Sequence, residues 1–168
     1  MKKTMVIAAV TLVLGAGTVS VGAMGTTRAS GGFEAEGSAA PDFRLRSIQN
    51  STVCLGELKG KNVILFFFTT WCPYCRKKMP DLQKKMPEFQ AKNIELLLID
   101  VGESEGKMKS FAQKNQIGLD IFLDLDSSVA GDYGIVGVPT FVFVNQDGVI
   151  VAEEGELPYD YEAVFQKK

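Results

Sequence analysis

The sequence predicts an α/β domain in which a central mixed β-sheet is flanked by helices. Residues 63–69 form a continuous apolar run that ends in threonine, which is typical of a central strand covered on both faces. Strand patterns then alternate with segments of helical spacing, as in α/β domains. Near the C-terminus, Asp147-Gly148 between two apolar runs predicts a tight β-hairpin and therefore a mixed sheet.

The strand over 63–69 leads directly into a predicted helix. Apolar residues recur there at three- and four-residue steps and define one helix face, which is formed by Cys75, Met79, Leu82, Met86 and Phe89. Two prolines fall inside this segment. Because proline removes a backbone hydrogen bond and crowds the preceding turn, we expect a kink at Pro80 and a bend or break near Pro87.

The same patterns predict the later elements. In chain order these are a buried strand over Ile94–Val101, an amphipathic helix over Glu105–Gln116, a short strand over Asp120–Leu125, a brief helix ending at Tyr133 and capped by Ser127 or Ser128, strands over Phe141–Val144 and Val149–Glu153, and a closing helix over Pro158–Gln166.

The N-terminus has the pattern of an export signal. Lys2 and Lys3 precede a stretch without charges whose apolar centre is Val6–Leu14. Residues 1–24 are therefore interpreted as a signal peptide, cleaved after Ala23, or as an uncleaved membrane anchor. Residues 25–40, rich in Gly, Ser, Thr and Ala, are interpreted as a flexible linker, and residues 41–168 as the folded domain. The predicted location is extracytoplasmic.

Cys72 and Cys75 are spaced for reversible disulfide formation at the start of a helix. Side chains at i and i+3 lie about 5–6 Å apart at Cβ, within reach of a bridge after modest adjustment. Free N–H groups and the helix dipole favour a thiolate at the first position, so we expect the pKa of Cys72 to fall below about 8.5. Cys72 is the candidate nucleophile, and Cys75, which is better shielded, is the candidate resolving thiol.

Composition excludes several other kinds of site. The chain has three cysteines and no histidine, whereas a structural zinc site usually needs four Cys or His ligands. Histidine-dependent catalysis is excluded on the same ground, and we predict neither a metal nor an organic cofactor. A net charge of −2 gives no indication of a nucleic-acid surface. Cys54 is interpreted as a small buried residue, with a redox role as the alternative.

The chain resembles the thioredoxin superfamily, and within it the exported TlpA/ResA type of thiol-disulfide oxidoreductase, also named redoxin or AhpC/TSA-like. The resemblance extends from about Ala40 to the C-terminus and rests on Leu58–Lys61, Trp71–Arg76, Pro80, Tyr133-Gly134, Gly137–Thr140 and Asp147-Gly148. It implies a thioredoxin-like fold with a central mixed sheet, a β-hairpin and a C-terminal helix.

The resemblance also implies how a partner binds. It assigns Pro139 a cis peptide bond opposite the disulfide, with Val138 offering its backbone to an extended substrate segment. The predicted substrate contacts are Trp71, Pro73, Tyr74, Val138, Pro139 and Thr140.

Two positions depart from the family pattern. Family members often carry an acid three residues after the second cysteine, where this chain has Lys78. Cytosolic thioredoxins carry a buried Asp six residues before the first cysteine, where this chain has Phe66. We therefore expect Lys78 to tune the thiol pKa, and deprotonation of Cys75 to depend on solvent, Lys78 or a distant carboxylate.

The resemblance implies a reductant outside the cytosol that reduces disulfides in apocytochrome c or other exported proteins, with a membrane electron carrier as its donor. Two alternatives stay open. A redoxin-type peroxidase would have a Pro-x-x-x-Thr-x-x-Cys motif; Thr69 fits, but Leu65 stands at the proline position. A binding module without redox activity would use the disulfide only as a structural bridge.

Overall fold

The structure is a computed structural model and describes residues 36–166. The predicted export segment, the predicted linker up to residue 35 and the last two residues lie outside this range. Among residues 36–166, no helix has both the length and the hydropathy needed to cross a membrane.

Seven β-strands, four α-helices and one 3-10 helix make up the described chain. They are β1 Arg44–Arg46, β2 Thr52–Cys54, a 3-10 helix Leu55–Leu58, β3 Asn62–Phe68, α1 Pro73–Ala91, β4 Ile94–Val101, α2 Glu105–Lys114, β5 Ile121–Asp124, α3 Ser128–Asp132, β6 Thr140–Val144, β7 Ile150–Glu154 and α4 Tyr161–Val164.

A five-stranded mixed sheet with the order β5-β4-β3-β6-β7 forms the centre of the fold. The strands β3, β4 and β5 are parallel because helical crossovers connect them, while β6 is antiparallel to both β3 and β7. The predicted mixed sheet, the hairpin and the closing helix are therefore confirmed, although α4 is much shorter than the predicted 158–166. β1 and β2, which the sequence analysis did not predict as a pair, form a separate small sheet.

Strand β3 divides the core into two layers. Ile64, Phe66 and Phe68 point toward α1, α2 and α4, in the cluster that also contains both cysteines of the motif. Val63, Leu65 and Phe67 alternate with them and face α3 and β1. From Ile64 to Phe68 every residue is fully buried, and burying each phenylalanine contributes about 1.5–3 kcal/mol.

Helix α1 is continuous through both of its prolines, so the alternative of a break near Pro87 is wrong. Each proline removes one backbone hydrogen bond. The buried residues on either side, Met79, Leu82 and Phe89, pack against the sheet and offset that loss. Helix α2 ends at Lys114, two residues earlier than predicted.

The start of α3 differs from the prediction of a serine cap. Ser127 has a φ of 60° and makes no side-chain cap hydrogen bond. The buried carboxylate of Asp124 accepts instead, from the N–H of Val129 at 3.2 Å and from that of Ala130 at 2.8 Å. A residue at the end of β5 therefore satisfies the free donors of the next helix.

The N-terminal part of the described chain pairs with both edges of the sheet. Gly37 donates to the carbonyl of Ile150 at 2.7 Å, next to a bridge between Ala39 and Val149. At the opposite edge, Ile48 donates to the carbonyl of Ile121 at 2.9 Å. The linker predicted through Ala40 is thus corrected at its end, because residues 37–40 are hydrogen-bonded to the folded domain.

Asp124→Ala tests the cap of α3. Removing the carboxylate leaves two buried N–H groups without an acceptor, so we expect the free energy of unfolding to fall by about 1–3 kcal/mol. Chemical denaturation of the oxidised protein measures it. Asp126→Ala is the control, since Asp126 is exposed and accepts from the N–H of Ser128 at 3.1 Å. Equal stability losses in the two variants would contradict the assignment.

Candidate active site

The cysteine motif lies where β3 ends and α1 begins, at the carboxyl edge of the parallel strands. Cys72 is the N-cap of α1, and Pro73 occupies the first turn, where its missing N–H costs no hydrogen bond. The backbone N–H of Cys72 donates to the carbonyl of Thr69 at 3.3 Å, which closes the turn between strand and helix. The buried strand therefore fixes the position of the first cysteine.

Cys72 and Cys75 form a disulfide with their Cα atoms 5.3 Å apart. The backbone N–H of Cys75 points at Sγ of Cys72 from 3.2 Å. An N–H in this position, together with the positive end of the helix dipole, stabilises a thiolate at Cys72. Cys72 is 2% exposed and Cys75 is not exposed at all, so a partner reaches the first sulfur before the second.

The loop before β6 lies against the disulfide. The carbonyl oxygen of Val138 is 3.6 Å from Sγ of Cys72, and the Val138–Pro139 peptide bond is cis. Thr140 is buried, pairs with Phe67 in the sheet and donates its hydroxyl to the carbonyl of Gly137 at 2.8 Å. Pairing between β3 and β6 thus holds this loop beside the cysteines.

Exposed apolar side chains flank Cys72 in the chain and occur in the loop whose Val138 lies beside the disulfide. Trp71 and Tyr74 are each 66% exposed on either side of Cys72, and Val136 in the loop before Pro139 is fully exposed. Exposed apolar groups gathered at one place on a surface indicate a binding site for a partner. Sequence reasoning missed Val136, since a single valine between two motifs carries no periodic signal.

Phe66 and Lys78, the two positions that depart from the family pattern, each contact another side chain of the domain. Phe66 is fully buried and stacks on Phe141 at a ring separation of 4.5 Å. The ammonium group of Lys78 pairs with Glu156 at 3.0 Å, in the segment after β7. The predicted tuning of the thiol pKa by Lys78 stays a prediction.

Two buried acids that sequence reasoning missed lie near the motif. Asp100 is the last acid of β4 and pairs with Phe68 in the parallel register. Glu103 follows in the next loop and is hydrogen-bonded to Thr70, two residues before Cys72. The sequence signal for these acids was the charged Asp100 near the end of the buried strand over Ile94–Val101.

Cys54 is remote in topology from this site, at the end of β2 in the small sheet. It is half-buried and unbridged, and its S–H group is directed at the carboxylate of Asp42 at 3.7 Å. Within residues 36–166, no group of three His, Cys, Asp or Glu side chains comes together in a way that could hold a metal ion.

The sequence and fold match those of known redox proteins. Residues 37–153 match the model of the AhpC/TSA family. The chain is 30% identical over 135 residues to the thiol-disulfide oxidoreductase ResA of one Bacillus cereus strain, covering 77% of this chain and 78% of that protein. It is 28% identical over 153 residues to ResA of a second Bacillus cereus strain, with 88% of both chains covered.

A solved structure agrees. The thioredoxin domain of a thiol-disulfide oxidoreductase from Bacteroides vulgatus superposes with a TM-score of 0.67 at 30% identity, covering 79% of this chain and 96% of that one. The expected thioredoxin-like fold is confirmed, and a buried Cys-x-x-Cys pair at the start of a helix is the group that such enzymes use for exchange. The chain therefore belongs to the AhpC/TSA family of the thioredoxin superfamily, and is a thiol-disulfide oxidoreductase of the TlpA/ResA type.

Proposed function

We propose that the protein is an extracytoplasmic reductant of protein disulfides, with Cys72 as nucleophile and Cys75 as resolving thiol. The observation that carries the proposal is the asymmetry of the pair. Cys72 receives the N–H of Cys75 and lies next to the exposed Trp71 and Tyr74, whereas Cys75 is enclosed in the core. The sulfur with the stabilised thiolate thus belongs to the less deeply buried of the two cysteines.

Exchange proceeds in two displacement steps. The Cys72 thiolate attacks one sulfur of a substrate disulfide, a mixed disulfide forms, and the other substrate sulfur leaves as a thiolate and takes a proton from water. Cys75 then loses its proton and attacks Sγ of Cys72, which releases the second substrate sulfur as a thiolate that is protonated in turn. Two electrons pass to the substrate, and the protein is left with the Cys72–Cys75 disulfide.

The surface around Cys72 suits an extended substrate segment. The Val138 backbone beside the disulfide can pair with such a segment, and Pro139 next to it has no N–H that would need a partner. Trp71 and Tyr74 supply exposed apolar contacts. We place the exposed Pro73 at the rim, where it contacts the segment. Thr140 is buried and acts through the loop that its hydroxyl holds.

The N-terminal sequence supports a location outside the cytosol. We infer that residues 1–24 export the chain, that disulfide-bonded exported proteins including apocytochrome c are its substrates, and that a membrane thiol-disulfide carrier returns its electrons. In an expressing bacterium, fractionation and intact mass should find the chain outside the cytosol, either processed after Ala23 or full-length in the membrane. Recovery of the full-length chain from the cytosolic fraction would contradict export.

Cysteine variants test the two roles. We expect Cys72→Ser to abolish insulin reduction, because the attacking thiolate is lost. Cys75→Ser should accumulate a mixed disulfide with insulin, since the resolving step is blocked. Cys54→Ser is the matched control and should keep wild-type turnover, as Cys54 belongs to the small sheet.

The same preparations also test the two alternative functions, a peroxidase and a binding module with a structural disulfide. Peroxide consumption that depends on Cys72 and outpaces insulin reduction would indicate a peroxidase. A Cys72–Cys75 potential far below about −300 mV in glutathione buffers, with no turnover of insulin, would indicate a structural bridge.

Trp71→Ala tests the proposed docking surface. Trp71 is exposed beside Cys72, so we expect a protein substrate to contact its side chain and a small disulfide not to reach it. The variant should therefore raise KM for insulin by about fivefold to tenfold, which corresponds to about 1–1.4 kcal/mol of binding free energy. The rate with a small aromatic disulfide should stay within twofold. Equal losses with both substrates would show that Trp71 supports the cysteines rather than the partner.

A further inference from the structure

A buried carboxylate holds the turn that precedes Cys72. The backbone N–H of Thr70 donates to Oε2 of Glu103 at 2.5 Å, and the Thr70 hydroxyl donates to Oε1 at 2.8 Å. Glu103 is 7% exposed, so these hydrogen bonds are shielded from water. Each oxygen of one carboxylate thus fixes a different donor of the residue two positions before the nucleophile.

The loop that carries Glu103 is itself held from β4. The N–H of Glu103 donates to Oδ2 of Asp100 at 3.2 Å. Gly102 between them has a φ of +75°, which favours glycine, and its N–H donates to the carbonyl of Asp124 at 2.8 Å. Side chains alternate along a strand, so Asp100 points to the same face as Leu98, the face of the layer that contains both cysteines.

The charges around Asp100 come from few groups. Glu103 and Lys107, which are ion-paired with each other, face it from the loop and α2. Cys72 and Cys75 lie in the same layer of the core and carry no charge while they are bridged. On β3 and β5 its register partners are Phe68 and Leu123, which carry no charge. The second oxygen of Asp100, Oδ1, has no hydrogen-bond partner within residues 36–166.

These surroundings shift the pKa values of Asp100 and Glu103 in opposite directions. Burial, and then the side chain of Glu103 through its hydrogen bonding and its negative charge, raise the pKa of Asp100 to about 8, although the backbone N–H of Glu103 acts to lower it. For Glu103, burial acts to raise the pKa, but the hydrogen bonds from Lys107 and Thr70 outweigh it, and the pKa is lowered overall. At neutral pH the pair therefore holds one proton, on Asp100, while Glu103 is ionised.

We propose that Glu103 is a positioning residue for thiol-disulfide exchange, whose carboxylate fixes the turn that presents Cys72, and that Asp100 supports it by accepting from the N–H of Glu103 and so holding the Glu103 loop. Because Asp100 holds a proton at neutral pH, this support adds no second buried charge. The inference rests on the proposed role of Cys72. The hydrogen bonds and the ion pair of Glu103 within residues 36–166 go to Thr70, Asp100 and Lys107, so its effect on Cys72 passes through Thr70 and the start of α1.

Substitutions at Thr70 and Glu103 test the positioning. Thr70→Val removes one donor at nearly constant shape, whereas Thr70→Ser keeps the hydroxyl. Glu103→Gln leaves one acceptor oxygen for two donors. The control Glu105→Gln makes the same chemical change at an acid of α2 that pairs with Arg46 and Lys109. The measurement is the rate constant of reduced protein with a small aromatic disulfide from pH 5 to 10, which also gives the apparent pKa of Cys72.

We expect Thr70→Val and Glu103→Gln to react about tenfold more slowly and with a shifted apparent pKa, because small displacements of a reacting group cost large factors in rate. Thr70→Ser and Glu105→Gln should stay within twofold of the wild type. Unchanged rates and pKa in folded Thr70→Val would overturn the proposal, even if Glu103→Gln does not fold. Absence of Cys72-dependent exchange in the wild type would instead overturn the proposed function.

Asp100→Asn tests the neutral partner in the oxidised protein, where the paired cysteines do not titrate. The folded wild type keeps a proton on Asp100 up to about pH 8, while the unfolded chain releases it near the ordinary value of 3.8. The free energy of unfolding of the wild type therefore falls, through this group, as the pH rises from about 4 to about 8. Asp100→Asn should lack this decrease in the free energy of unfolding. The difference in unfolding free energy between the variant and the wild type therefore shifts in favour of the variant from about pH 4 to about pH 8, and stays constant above about pH 8. Parallel curves would show that Asp100 is ionised at neutral pH and would overturn its assigned part.

Discussion

Burial of β3 on both faces is the constraint on which the active site depends. Ile64, Phe66 and Phe68 fill the layer under α1 on one side. Val63, Leu65 and Phe67 fill the layer under α3 on the other, so the strand cannot shift along its axis without unpacking both layers. Because Cys72 follows this strand by only a few residues, the same packing sets the place of the first cysteine. The neighbouring strands β4 and β6 then bring Asp100 and the Val138–Pro139 loop to the same edge of the sheet.

The buried acids near the cysteines lie at other positions in the chain than the family pattern predicts. A phenylalanine packed against Phe141 occupies the position on β3 at which cytosolic thioredoxins carry a buried acid, and Lys78 is engaged by Glu156. The buried acids of this protein lie instead on β4 and in the loop after it, where one carboxylate binds Thr70. A buried acid near the cysteines is thus retained in the fold while its position in the chain differs.

Much of this could be predicted from the sequence because the signals are local. The apolar run of β3, the spacing of Cys72 and Cys75 and the Asp-Gly hairpin each depend on residues close in the chain, and the structure has all three. The cap of α3 could not be predicted in this way, since Ser127 and Ser128 look like caps and only the end of β5 shows that Asp124 reaches the helix. The bonds between Glu103 and Thr70 join residues 33 positions apart and depend on the parallel register of β3 and β4. Continuity of α1 through Pro87 likewise reflects tertiary packing, which local propensity does not contain.

The hydrogen bonds at the two sheet edges have a consequence for pairing with other extended chains. An open edge strand is a template for pairing with any extended segment, including an unfolded client or a second copy of the enzyme. Here residues near Ala39 cover the start of β7, and Ser47 and Ile48 cover β5. The start of β7 and the first residues of β5 are thereby not free to pair with another extended chain, whereas the backbone of the loop beside the sulfurs stays available to the substrate segment of the proposed function.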